Sequence, residues 1–331
     1  MAVCAERRAK VGGMRILVTG GNGFVGRSLV RSLLDEHDVA VVDNLRYGGV
    51  RFSETEESRI SLIQTDIRDP DETRLAIESH HPDAIIHLAA IHYIPECQDD
   101  PSLAVATNVL GTVNLLEACP AGTRFVLASS AAVYQNSDRA LVEDTSPLGP
   151  NDIYGRTKLQ AEEYLSYFAA WRDFPAVAVR LFNVVGPGET NRHVLPEIVA
   201  QMKAGHRSLR LGNITPRRDF IHVADAAAGF AAAAIDGDVE AGTTTAVNLG
   251  RGEAHSVQDL LDLLAVVIGE EITVATDPAR FRRADNPLLL ADITRIGEVF
   301  GWRPARDLRE AVEDLWADPD LPPGLVEQYR T

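Results

Sequence analysis

From residue 14 onward, short apolar, β-branched runs at 15–19, 39–42, 61–64, 84–88, 124–128 and 176–181 alternate with stretches of helical period at 24–34, 70–79, 101–118 and 154–171. Strands that are apolar throughout, rather than on alternate positions, belong to a sheet covered on both faces, and intervening helices make such strands parallel. The expected class is α/β, a doubly wound parallel sheet. After Asn183 the rhythm changes: Gly186-Pro187-Gly188 opens a polar loop, helices are expected at 196–204, 225–235 and 257–268, and strands at 246–249 and 272–275. This half reads as a smaller, mixed α/β lobe. The sheet domain is expected over 14–182 with about 220–250, and the lobe over 183–219 and 251–331. Residues 1–13 are charged, have no long apolar run and read as a disordered lead-in. No repeat or low-complexity tether parts the two halves, so a cleft is expected between them, at the carboxyl ends of the strands.

Composition narrows the partners. Apolar residues at 45% and charged residues at 24% of 331 are ordinary for a folded chain. The balance of 32 basic against 48 acidic residues, a net charge of −16, repels nucleic acid and anionic membrane surfaces. An anionic ligand would need local arginines. Cys4, Cys97 and Cys119 are odd in number and lack metal-ligand spacing, so neither a disulfide framework nor a metal site is expected, and the setting reads as reducing and cytoplasmic. No apolar run approaches the roughly 20 residues of a membrane-spanning helix.

Candidate chemistry begins at Ile16-Leu17-Val18-Thr19-Gly20-Gly21-Asn22-Gly23-Phe24-Val25-Gly26, which joins a buried strand directly to a helix start. Gly20 permits the tight turn, Gly23 lets a pyrophosphate approach the backbone, and Gly26 allows close helix packing, while the helix N-terminus attracts phosphate charge. Asp43, ending the second strand, can accept hydrogen bonds from both ribose hydroxyls and would repel a 2′-phosphate, which favours NAD over NADP. This is the Rossmann pattern. Asp66, after the next strand, is either an adenine contact or a surface cap.

Ser129 and Ser130 close another buried strand, and Tyr154 and Lys158 stand four apart, one helical turn, on one face. A free phenol has a pKa of about 10, so poising it near 7 requires roughly 4 kcal/mol, which a nearby ammonium and a positive nicotinamide ring can provide in a shielded cleft. Tyr154 would then take a hydroxyl proton while hydride leaves, Ser130 would hold the developing carbonyl oxygen, and Lys158 would anchor the nicotinamide ribose.

Together these residues resemble the extended short-chain dehydrogenase/reductase family, specifically its nucleotide-sugar epimerase and dehydratase branch, from about Met14 to Pro304. The landmarks are Thr19 to Gly26, Asp43-Asn44, Asp66-Ile67, His87-Leu88-Ala89-Ala90, Asn108 to Thr112, Ser129 to Tyr134, Tyr154 to Lys158, Arg180 to Asn183 with the following Val-Val-Gly-Pro, Arg218 to Val223, and Arg282 to Asp285. The resemblance implies a tightly held NAD, with Gly20, Gly23, Phe24, Val25, Gly26, Asp43, Asn44, Asp66, Ile67, Leu88, Ala89, Ala90, Asn108, Tyr154 and Lys158 as contacts. It implies a nucleotide-sugar in the C-terminal lobe and a homodimer formed through two helices per subunit. By position Ser130, Tyr154 and Lys158 take the catalytic roles, Asn183 meets the diphosphate or sugar, and Arg218, Arg282 and Asp285 meet the diphosphate and nucleoside. Guanidinium forks suit two pyrophosphate charges in an acidic protein.

Departures from the pattern narrow the reaction. Dehydratases and related decarboxylases typically carry acidic residues at the two positions after the catalytic hydroxyl, where this chain has Ala131 and Ala132. Elimination wants an acid or base there, whereas oxidation at C4, rotation of the ketosugar and hydride return need none. A 4-epimerase of a UDP-sugar is the leading expectation, ahead of a 4-ketoreductase, decarboxylase or dehydratase of the same branch and of a non-catalytic NAD-binding regulator. Gln135 replaces a usual glycine. His193 stands where an Asn often meets substrate, just before Val194, and His92 is placed near the cleft mouth; each histidine reads as a substrate contact or as packing, while His87 and His222 read as structural.

Overall fold

The computed structural model describes residues 13–330 except 190, 278, 279, 281–285, 319 and 323. The proposed lead-in, Gly13 apart, lies outside the described residues, as do Arg282 and Asp285.

In chain order the strands are β1 (Arg15–Thr19), β2 (Asp38–Asp43), β3 (Ile60–Gln64), β4 (Ala84–His87), β5 (Arg124–Ser130), β6 (Ala176–Leu181), β7 (Asn183–Val185), β8 (Ser208–Leu211), β9 (Arg217–His222), β10 (Thr244–Leu249), β11 (Ala254–Ser256), β12 (Thr273–Thr276) and β13 (Leu288–Leu289). Seven of them form one sheet in the order β10-β6-β5-β4-β1-β2-β3, parallel throughout. Each strand sends alternate side chains to opposite faces. On one face Ile16, Val18, Val126 and Val179 meet helices Phe24–Leu33 and Val223–Ile235. On the other, Leu17, Phe125, Leu127 and Ala178 meet helices Pro70–His80, Gly111–Ala118 and Ile153–Arg172. Burial on both sides is why the strands lack polar alternation.

The stretch expected as one helix over 101–118 is three segments, because a π-helical turn, Ala106–Leu110, separates Pro101–Val105 from Gly111–Ala118. Sequence period cannot show this: no proline or glycine interrupts 102–110, and the turn accompanies tertiary bonds of Asn108 described below. Beyond Asn183, β9 joins β11, β13 and β7 in a second sheet, and β8 pairs with β12. Helices Val194–Lys203, Val257–Ile268 and Leu308–Ala317 pack around Leu209, Leu211 and Phe220 in a separate core. The chain reverses its path across the main sheet between β1 and β4, and loops at their carboxyl ends open a crevice there.

Candidate active site

A cleft of about 590 Å³ runs along these carboxyl ends and is bordered by both sheets. That volume suits a large cofactor or ligand. Its floor is the turn after β1. Gly20 has φ +71°, which a side chain would strain, and its N–H donates to the Val42 carbonyl at 2.8 Å. A Cβ on Gly26 would lie 2.2 Å from the Gly20 carbonyl oxygen, so the first turn of helix Phe24–Leu33 can press against the loop only as glycine. No acidic residue occupies that turn and no side chain caps it, leaving its N–H dipoles directed to the cleft that Gly20, Gly23, Phe24, Val25 and Gly26 line.

Asp43 closes β2 beside this turn. Its carboxylate accepts from the N–H groups of Asn22 (3.1 Å) and Leu45 (2.8 Å), and burial raises its pKa against those donors. Asn44, Leu88, Ala89 and Ala90 also border the cleft, as does Ile67. Asp66 is held by its neighbours. Its two oxygens bind the Arg68 guanidinium at 2.8 and 2.9 Å and the Asn44 amide at 3.1 Å. The Arg68 bonds hold its carboxyl well below the usual carboxylate range, and its neighbours Thr65, Ile67 and Arg68, rather than Asp66, line the cleft.

Asn108 lies deeper. It is buried behind the cleft, where its amide oxygen accepts from Ile91 N (2.8 Å) and its amide nitrogen donates to Ile91 O (2.9 Å) and Thr157 Oγ1 (3.0 Å). It clamps the loop after β4 to helix Ile153–Arg172, and Asn108 does not itself line the cleft. His87, between Thr19 and Thr112 hydroxyls, and His222, which caps helix Val223–Ile235 and meets Asp314, are structural.

At the end of β5 and in the first turns of helix Ile153–Arg172, Ser130, Tyr154 and Lys158 face the same cleft. Tyr154 shares a hydrogen bond with the Ser130 side chain, yet desolvation pushes its phenol up to about 12. This is opposite to the depression expected from a nearby ammonium. Burial outweighs the Ser130 bond, and Lys158 Nζ, 5.9 Å from the Tyr154 ring centroid, donates to the Ala128 carbonyl at 2.7 Å. Burial in turn lowers Lys158 to about 8. Behind the three residues, the Arg180 fork binds Glu162 at 2.8 and 3.1 Å, Glu162 also bonds the Ser129 hydroxyl, and Arg180 continues to Tyr134, whose hydroxyl reaches Asn248 at 2.7 Å. This buried network fixes the end of β5 to helix Ile153–Arg172.

The far end of the cleft is lined by Ala131, Ala132, Asn183, His92, His193, Val194 and Arg218. Arg218 Nη1 donates to the carbonyls of Arg217 (3.0 Å) and Asn286 (2.6 Å). The His92 and His193 rings stack with centroids 5.9 Å apart, and Tyr93 meets His193 edge-on at 5.6 Å. Burial first, then the Lys158 charge, lowers His92 to about 4. Gln135, by contrast, is exposed beside Asn136 and Gly149, outside the cleft. Sequence reading missed Glu189, a buried carboxylate on the cleft wall; it shares a loop with Asn191 and His193, but His92, which completes the group, comes from a loop distant in the chain.

Residues 16–250 match the NAD dependent epimerase/dehydratase family. The chain is 32% identical over 324 residues to the UDP-glucose 4-epimerase of Corynebacterium glutamicum, covering 92% of this chain and 95% of that one. It is 30% identical over 316 residues to the GDP-6-deoxy-D-mannose reductase of Pseudomonas aeruginosa, covering 92% and 96%. Among solved structures, a UDP-glucose-4-epimerase from Stenotrophomonas maltophila with bound NAD and formylated UDP-arabinopyranose superposes with a TM-score of 0.81 at 29% identity, over 92% of this chain and 97% of that one.

Proposed function

Because the chain belongs to the NAD dependent epimerase/dehydratase family, we propose that it inverts C4 of a nucleotide-linked sugar, a UDP-sugar, through a transient 4-keto state. The observation that carries this reading is the meeting of Ser130, Tyr154 and Lys158 with the Gly20–Gly26 turn and Asp43 on one cleft whose wall has alanines at 131 and 132.

The residues fit NAD. The turn offers backbone N–H groups and a helix dipole to the pyrophosphate, with no side chain at Gly23 to keep it away. Asp43 meets the adenosine ribose and disfavours a 2′-phosphate, and Lys158 holds the nicotinamide ribose. When bound, NAD supplies a hydride acceptor and, after the sugar turns, the same hydride as donor. Tyr154 Oη takes the C4 hydroxyl proton and later returns it, and Ser130 Oγ holds the oxygen during both transfers. A phenol that the folded chain alone keeps near 12 becomes a base once Lys158 turns from the Ala128 carbonyl and a positive charge stands beside the ring.

Arg218 and Asn183 serve the diphosphate and sugar, with Arg282 and Asp285 assigned to the nucleoside by resemblance. The NAD unit is taken as 14–182 with about 220–250, and the sugar lobe as 183–219 and 251–331. A homodimer is supported by Tyr164, Tyr167 and Trp171, exposed along helix Ile153–Arg172 beside exposed Val105 and Leu110. No described helix is long and apolar enough to cross a membrane.

The similarity to a GDP-sugar reductase makes net reduction the second reading. The test is incubation without reductant with UDP-, dTDP-, GDP- and CDP-hexoses and uronic acids, resolving products by mass and sugar configuration. An isomer of unchanged mass supports epimerisation. Turnover only of a 4-ketosugar with added NADH or NADPH would replace it by reduction, and loss of water or carbon dioxide by a lyase.

A further inference from the structure

Three side chains to which the reaction above assigns no step converge on the cleft wall. His92 comes from the loop after β4, Glu189 from the loop after β7, and His193 from the N-cap of helix Val194–Lys203. One ligand-capable atom of each lies within 4.8 Å of those of the other two. The His193 side chain makes no cap bond to its own helix, and Glu189, 7% exposed, accepts from the backbone N–H of Asn191 at 3.1 Å and lies within the field of the buried Arg27 guanidinium, which offsets part of the cost of burying a carboxylate. The His92 ring is oriented from two sides, by a hydrogen bond to the Ala90 backbone and by the Asn191 amide nitrogen 2.9 Å from Nε2. Fixing an imidazole through a backbone group, so that a chosen nitrogen faces the site, is how outer partners orient metal ligands.

We propose that His92, Glu189 and His193 form a two-histidine, one-carboxylate site for a divalent transition-metal ion of the zinc class, with its remaining positions open to the cleft. The donor set selects the metal: two imidazoles and one carboxylate suit zinc and its neighbours, whereas calcium and magnesium favour oxygen alone. Ligand atoms about 2.0–2.2 Å from a tetrahedral ion are roughly 3.4 Å from one another, so modest side-chain rotation closes the observed triangle, with the ion displacing the Asn191 amide from Nε2. The three residues border the same cleft as Asn183 and Ala132, so ligand oxygens such as sugar hydroxyls could complete the coordination. This inference does not rest on the epimerase reading, and its test needs no turnover.

The chelator-stripped full chain is titrated with zinc by calorimetry, without substrate, and with cobalt(II) by visible absorption. One zinc per chain is expected, with a cobalt spectrum of the intense four- or five-coordinate kind. His193→Ala and Glu189→Gln should each weaken zinc binding at least roughly tenfold, while His81→Asn, outside the cleft, leaves it unchanged; circular dichroism confirms that each variant is folded. No zinc uptake, uptake equally strong in folded His193→Ala and Glu189→Gln, or a cobalt spectrum like that of the hydrated ion would overturn the site. The cobalt spectrum of the unaltered protein decides the question even if both variants fail to fold.

Discussion

Replacing Lys158 with methionine should stabilise the NAD-free protein at neutral pH while removing its chemistry. The side chain sits in a residue only 4% exposed, and burial lowers its pKa from 10.5 to about 8, against smaller upward pulls from Cys97 and Glu162. A shift of that size corresponds to about 3 kcal/mol against the charged form in the folded chain. The 2.7 Å bond to the Ala128 carbonyl returns about 1–2 kcal/mol, and methionine, similar in length, forfeits it. The net expectation is a gain of about 1–2 kcal/mol at pH 7. Between about pH 8 and pH 10.5 the folded chain binds fewer protons at this amine than the unfolded chain, so wild-type stability rises with pH through that window. Below it the penalty is fully present. The advantage of Lys158→Met should therefore shrink by about 2–3 kcal/mol by pH 10 and change sign. Urea denaturation of both proteins without NAD, at pH 7 and pH 10, measures this directly, and other titrations common to both cancel in the difference. A variant less stable than wild type at pH 7, or a difference independent of pH, would refute the buried-ammonium account.

Tyr154→Phe should lower kcat by about 10²–10⁴-fold while NAD stays bound through gel filtration; turnover near the wild-type rate would end the proposed acid–base role. Asp43→Ala removes a charged hydrogen-bond acceptor and should weaken NAD by about tenfold to a hundredfold, measured by calorimetry, with little change in unfolding of the NAD-free chain. Glu162→Gln leaves Arg180, whose side chain is 6% exposed, without its charge partner and should destabilise the fold by about 3–5 kcal/mol, read by denaturant midpoint.

The main sheet was legible because its physics is local. β1, β2, β4, β5 and β6 are buried on both faces along most of their length, so each holds a continuous apolar run, whereas β3 at the sheet edge is only partly buried; helix Val257–Ile268 showed its period plainly. The lobe was less so. β9 begins Arg-Arg-Asp with its first two positions at least partly exposed, and β13 is two residues long, too short for any period. The π-turn at Ala106–Leu110 accompanies the bonds of the Asn108 amide, whose partners lie in the loop after β4 and in helix Ile153–Arg172 and not among its neighbours in the chain. The same holds for the Asn108 side chain: a motif fixes which residue stands at a position, whereas its direction comes from packing.

This division extends to the site. Gly20, Asp43 and Ser130 sit at strand ends, and Tyr154 and Lys158 on a helix locked to β5 through Glu162, Ser129 and Arg180. Their placement is held by the two cores of one sheet, so local sequence sufficed to find them. His92, Glu189 and His193 are instead held by loops that meet only in the folded chain, with few regular backbone bonds to fix them. A change in either loop can thus alter what the far end of the cleft accepts without disturbing the proton transfer proposed for Tyr154. The choice of sugar is expected to reside in those loops, and exchanging them should move substrate preference while leaving NAD binding at the Gly20–Gly26 turn intact.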